Sequence, residues 1–473
     1  MTTYEFTILI EDRRVTGQYG VCGEQLQQAG SAELNLDPLA LETVGLMNRW
    51  LSFWDLIDRS EIRLKETLLQ GDTLDVLGTH LWRLILDNDV GRQLKEKIPR
   101  EGQQPLKLSI EFAPQANEKL KGLPWEFLYE PQNEWYLATK TELLLTRYVT
   151  TDREPATVAQ AGEKEKLRAL LIAALPDKEK FAIHRERLNK LRTALSDLPN
   201  LDVPKPIEAW NAETIYQKLA EQPYHIVHVV GICKGTPGHP QIYLGDGGDG
   251  YEDPGQFVET LTANPKRPRL VILQLCDFAD CDATENFERM APDLIKRRVP
   301  AVLALQYAAS ADQADADNIG LGKRFYQSLV DGERIGAAVQ ASRKRLLQDR
   351  RDRRFGTPVL YLQQEDVALR RPGSQGEPLK STAQSGTSED AIRKRGFDSS
   401  IVTKALGGVV LEAGLGKSEA WDILTWVSDL GRLAGFDAVR IAINEKLQQP
   451  LAASHLDIYT RMLVCLGELR SKS

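Results

Sequence analysis

The segment His225–Gly231 reads HIVHVVG, and Arg269–Cys276 reads RLVILQLC. Both are nearly unbroken apolar runs rich in Val, Ile and Leu, and both are too short for a buried helix, so each predicts a strand covered on both faces. The same pattern recurs at Leu167–Leu175 (LRALLIAAL), Pro300–Ala308 (PAVLALQYA) and Pro358–Gln363 (PVLYLQ). Between these runs lie stretches of helical periodicity: Ile183–Asp197, Glu213–Glu221, Phe257–Leu261, Phe287–Arg298 and Ala311–Asp349. Buried strands alternating with helices predict an α/β fold, a mostly parallel sheet with helices on both faces. Ligand sites of such sheets lie at the carboxyl ends of the strands.

An N-terminal α/β extension is expected over residues 1–150. Tyr4–Glu11 has strand character, helical periodicity runs through Leu41–Leu69 and Leu77–Ile98, and LKLSIEF (Leu106–Phe112) alternates like a half-buried strand. LLLTRYV (Leu143–Val149) is a further strand. The polar stretch Thr150–Lys166 marks a boundary, so the core of the α/β fold is expected over 151–369. Residues 370–390, RRPGSQGEPLKSTAQSGTSED, read as a flexible linker because Pro, Gly, Ser and Thr dominate them. Residues 391–473 read as a helical domain. Ser418 is a candidate N-cap, Ile423, Trp426, Val427, Leu430 and Leu433 form one stripe, and a second amphipathic stretch covers Leu456–Leu469.

Of 473 residues, 42% are hydrophobic and 27% charged, an ordinary globular balance. The net charge of −7 argues against a whole-chain nucleic-acid or polybasic membrane role. Five cysteines without framework spacing do not make a disulfide-stapled secreted domain. Glu5 and Glu11 interrupt any signal-peptide core, and no long apolar window spans a membrane. A cytoplasmic protein with neither nucleic-acid nor membrane partners is therefore expected.

Two motifs fail on inspection. GLGKS (Gly414–Ser418) looks like the tail of a phosphate-binding loop, but Leu411 stands where the pattern needs Gly and no strand leads into it. LGDGGDGYED (Leu244–Asp253) is acidic but lacks the alternating ligands of a calcium loop, Gly248 occupying a ligand position; a solvated turn is expected. Neither a cofactor nor a metal is expected.

What remains is a thiol at a strand tip. RLVILQLC puts Cys276 at the carboxyl end of a buried parallel strand, over the edge where such sheets carry out chemistry. A cysteine nucleophile needs an imidazole within hydrogen-bond reach to take up and return the proton. Cys233, Cys276 and Cys281 also leave open a redox pair, or a metal site completed by His239.

At this point the residues carry a family resemblance. GLPWEFLYEP (Gly122–Pro131), WYLA (Trp135–Ala138) and LLLTRYV resemble the N-terminal block of the caspase-like CHAT family, related to caspases and separases. LRALLIAALP resembles its first core strand, YHIVHVVGICKG (Tyr224–Gly235) its Gly-His-Gly block, and LVILQLCD its nucleophile strand. RRVPAVLALQYAASADQA (Arg297–Ala314) and FYQSLVDGERIGAAVQASRKRL resemble two later blocks in the same order. The resemblance implies a caspase-like fold and assigns the nucleophile position to Cys276. It also assigns Trp125 to a packed junction.

The general-base position, however, reads Ile232, within Gly231-Ile232-Cys233. Losing a positioned base costs on the order of 10²–10⁴ in rate. His228 lies four strand residues upstream, roughly 13 Å away, and His239 belongs to a Gly/Pro turn from which rescue would require a swing back. The expectation is a CHAT-like pseudo-peptidase, a non-proteolytic binding or scaffold module in an intracellular, prokaryotic signalling or defence complex. It would engage protein partners through residues 391–473, adaptor-like by analogy, or through the CHAT groove. The alternative is a caspase-like cysteine endopeptidase using Cys276, its base supplied by another His, a loop rearrangement or a partner.

Overall fold

The computed structural model describes residues 3–34, 72–149, 165–176, 182–236, 239–245, 250–264, 266–277, 283–306, 322–350, 353–363, 366–370, 436–447 and 458–463, with isolated positions between them. The chain forms two compact units, one of residues 1–55 and 71–372, the other of 56–70 and 373–473. In the second, the helix Phe436–Leu447 buries Val439 and Ile443. The expected linker beyond Arg370 and most of the apolar stripe after Ser418 lie outside the described residues. Of the helical reading of Leu41–Leu69, positions 41, 44, 45, 48 and 51 are described and helical, with Val44 and Leu51 buried, and the rest lies outside them.

The first unit is built on one sheet of thirteen strands. Its members are β1 (Tyr4–Ile10), β2 (Arg14–Val21), β3 (Gln27–Glu33), β4 (Leu106–Phe112), β7 (Leu143–Tyr148), β8 (Leu167–Ala174), β9 (Leu201–Asp202), β10 (Ile226–Thr236), β11 (His239–Tyr243), β12 (Tyr251–Glu252), β13 (Leu270–Asp277), β14 (Ala301–Leu305) and β15 (Pro358–Leu362). A two-residue pair, β5 (Tyr129–Glu130) and β6 (Trp135–Tyr136), stands apart. The order is β12-β11-β10-β13-β14-β15-β7-β4-β1-β2-β3, with β8 on the free side of β10 and β9 beyond it. The strands β8, β10, β13 and β14 pair parallel, as their continuous apolar runs predict.

Alternation divides the core strands into two apolar faces. Ala169, Leu171, Ile226, Val230, Leu270 and Ile272 meet Leu191, Leu195, Phe325 and Val339 from helices Ala182–Ser196, Gly322–Val330 and Ile335–Arg350. On the other face, Leu170, Val227, Val229, Val271 and Leu273 meet Ile215, Phe257 and Leu294 from helices Ala212–Glu221, Pro254–Thr262 and Ala283–Lys296. The α/β architecture with helices on both faces is thus present.

The sheet crosses residue 150 without interruption, because β15 is antiparallel to β14 on one side and parallel to β7 on the other. A buried ionic seam reinforces that junction. Arg147 on β7 binds Glu126, and Gln306, just past β14, donates to Glu126 Oε2 at 3.3 Å. Arg343, fully buried in helix Ile335–Arg350, donates to the carbonyls of Leu145 (3.1 Å) and Pro358 (2.6 Å). Burial pushes its guanidinium down to about 10.

Several local expectations change. The helical reading of Leu77–Ile98 is two helices, Asp72–Ile85 and Asp89–Lys97; Asn88 caps the second, its Oδ1 accepting from the Val90 N–H at 2.9 Å. Ala311–Asp349 likewise breaks at Asp331-Gly332, where Gly332 takes φ +90 between two helices. The helix expected at Phe257–Leu261 begins earlier, at Pro254, because Asp253 Oδ1 accepts from the Gly255 N–H at 2.7 Å. That cap gives one acid of the LGDGGDGYED stretch a structural role.

Candidate functional site

The carboxyl edge of the sheet is organised by the pairing of β10 with β13. The ladder runs in parallel register from Ile226 beside Leu270 to Ile232 beside Cys276 and Cys233 beside Asp277. Strands in such a pair lie about 4.8 Å apart, so positions 232 and 276 are immediate neighbours in one row. That row belongs to the alternating set of Val230, Leu270 and Ile272. Register is what gives the row its meaning, since a slip of one residue would put the two positions on opposite faces.

Ile232 has no solvent exposure and packs in the apolar cluster with Val230 and Ile272. Its side chain offers neither a proton acceptor nor a charge to a neighbouring thiol. Cys233, one residue on, is equally buried but on the opposite face, among Ile242, Phe257 and Leu273. Alternation therefore separates Cys233 from the row of Ile232 and Cys276. Cys281 lies outside the described residues. Among the described residues no group of three His, Cys, Asp or Glu is arranged to hold a metal.

Three histidines lie on these strands or at their ends, His225, His228 and His239. His228 is 3% exposed. Its Nε2 donates to Gln274 Oε1 at 3.2 Å, and its Nδ1 accepts from the Tyr326 hydroxyl at 2.7 Å. Both ring nitrogens are occupied and burial pushes the imidazole down to about 4, so it is neutral and engaged. His225, seven residues before Ile232, lies at the opposite end of the strands; its Nδ1 accepts from the Arg168 backbone N–H at 3.0 Å.

His239 does not lie in a turn but opens strand β11, where its backbone is in register with Thr236. Thr236 is four strand residues beyond Ile232, about 13 Å along β10. The hairpin of β10 and β11 extends past the end of β8, whose last paired residue on β10 is Gly231.

Sequence reasoning missed the seam behind this edge. It singled out Trp125 but not its neighbour Glu126, which joins the GLPWEFLYEP block to LLLTRYV through Arg147. The signal was available: an acid and a base inside two apolar blocks need each other if both are buried.

A sequence profile described as the CHAT domain matches residues 75–395. No curated protein matches the chain. Among solved structures, the Saccharomyces cerevisiae separase–securin complex is similar at 12% identity and a TM-score of 0.32, covering 70% of this chain and 23% of that one. The Arg-specific cysteine proteinase gingipain R is similar at 13% identity and a TM-score of 0.37, covering 60% of this chain and 68% of its own. The chain thus spans about a quarter of the length of the separase chain it matches. No helix among the described residues is long and apolar enough to cross a membrane.

Proposed function

The chain belongs to the CHAT domain family, and we propose that within it this member is a pseudo-peptidase, a non-proteolytic module that binds protein partners in an intracellular signalling or defence complex of a prokaryote. One observation carries the reading: fully buried, apolar Ile232 is the register neighbour of Cys276. A thiol nucleophile needs a proton acceptor in that row and a proton donor for the leaving group, and an aliphatic side chain is neither. His228 is committed to Tyr326 and Gln274, four strand residues away from the row. The backbone of His239 is as far beyond it in the other direction.

The experiment restores the missing base. Wild type should show no Cys276-dependent cleavage of peptide libraries. Ile232→His combined with Cys233→Gly should gain cleavage, or labelling by an electrophilic peptide probe, and Cys276→Ala should abolish the gain. Cleavage by wild type that is lost in Cys276→Ala would overturn the scaffold reading and establish the cysteine endopeptidase instead.

A further inference from the structure

The amino edge of the same strands carries a second cluster, seven strand residues from the Ile232 row, or about 23 Å. Register aligns Arg168, His225 and Arg269 side by side across three parallel strands. Ile226 pairs with both Ala169 and Leu270, the His225 N–H donates to the Arg168 carbonyl at 2.9 Å, and the Arg269 N–H donates to the His225 carbonyl at 3.0 Å. Arg370 reaches the same edge from the segment after β15, donating to the Glu165 carbonyl.

Arg168 and Arg269 flank His225 from the two neighbouring strands, and the carboxylate compensation around them is thin. Arg168 Nε meets Asp202 at 3.8 Å, a long contact to a half-exposed carboxylate. Glu165 uses Oε2 to accept from the Gly162 N–H at 3.3 Å. Arg269 donates to a backbone carbonyl, that of Ala368, at 3.3 Å. The Nε atoms of Arg269 and Arg370 are buried and have no hydrogen-bond partner among the described residues, although a buried donor left unmade is costly. His225 between them is driven below its ordinary value chiefly by burial; the charge of Glu165 opposes that shift, and the smaller influences of Arg168, Arg269 and Arg370 add to it. Arg168 remains 30% exposed, so the row is open to solvent on one side.

We propose that Arg168, Arg269 and Arg370 form a binding site for a compact phosphate-type oxyanion at the amino edge of the sheet. Guanidinium forks match the oxygens of such an anion, and partly exposed Arg168, whose carboxylate contact to Asp202 is long, is where it would enter the cluster. The site is independent of the Ile232 row and of the pseudo-peptidase reading.

The test is calorimetric titration of the full chain with pyrophosphate and inorganic phosphate, at ionic strength held constant with chloride. Wild type should bind saturably, and Arg269→Gln should weaken binding by about tenfold or more, the loss of one charge-assisted contact. Because Arg269 is half-buried, Arg168→Gln provides a second, more exposed variant, and unfolding midpoints without ligand check that each folds. In wild type itself, the Arg168 amide resonance should move along the same binding isotherm, since its N–H is bonded to His225. Absence of saturable binding, equal affinity in wild type and both variants, or an unmoved Arg168 amide would each overturn the proposal.

Discussion

Arg147 grips Glu126 with two bonds, Nε to Oε1 at 3.2 Å and Nη2 to Oε2 at 2.9 Å, and the two side chains are only 3% and 2% exposed. Arg147 also donates to the carbonyls of Lys121 and Leu123, so the pair ties the loop before β5 to strand β7. Gln306 adds a third contact from the end of β14. The pair lies on the N-terminal side of the junction, and Gln306 carries its contacts across to the core.

Removing one partner of a buried pair leaves an uncompensated charge, at a cost of about 3–5 kcal/mol. Glu126→Gln should lower stability by that amount in denaturant titration. Adding Arg147→Met should recover much of the loss, because an apolar replacement removes the stranded charge. A Glu126→Gln variant as stable as wild type would show that the pair does not secure the junction.

Trp125 is fully buried, donates its indole N–H to the Leu120 carbonyl at 2.9 Å, and lies 6.4 Å from the Phe112 ring. Trp125→Ala should cost about 3–5 kcal/mol through lost contacts and the cavity left behind. A thermal midpoint unchanged by the substitution would contradict the packed-junction role.

The parallel core was legible because burial on both faces leaves unbroken apolar runs, and the strands β8, β10, β13 and β14 all carry them. The hairpin of β2 and β3 was not legible. Gln27–Glu33 is a polar, largely exposed edge strand, and Arg14–Val21 buries only alternate residues at one end. The helix breaks at Asn88 and Gly332 had visible signals, a capping side chain and a Gly turn, that the apolar periodicity on either side overrode. Of the site, composition could place Cys276 at a strand end but not beside Ile232. Strand character does not fix register, and only the family resemblance pointed to that row.

Cys276 should behave as a thiol without an activating imidazole. Its rate of alkylation by iodoacetamide should rise with pH through the range of a free cysteine, near 8.5. The expectation follows from apolar Ile232 in the neighbouring register position. An inflection below about pH 7 that disappears in Cys276→Ala would reveal a base or cation acting on this thiol.

His228 gives the fold a defined acid response. Burial lowers its imidazole from 6.5 to about 4, against the opposing bond to Gln274. Because the folded value lies below the unfolded one, the native state binds fewer protons between them. The stabilisation held by neutral His228 is complete above about pH 6.5 and is lost as pH falls through about 4. A displacement of that size corresponds to about 3 kcal/mol across the window. Protonation turns Nδ1 from acceptor to donor, so the Tyr326 hydroxyl would have to rotate and accept, giving up the bond its own hydrogen makes to Nδ1. The difference in stability between wild type and His228→Gln, measured by denaturant titration at several pH values, should therefore narrow as pH drops from 6.5 to 4. A constant difference across that range, or a His228 resonance titrating near 6.5, would show that the buried imidazole is not the group the fold keeps neutral.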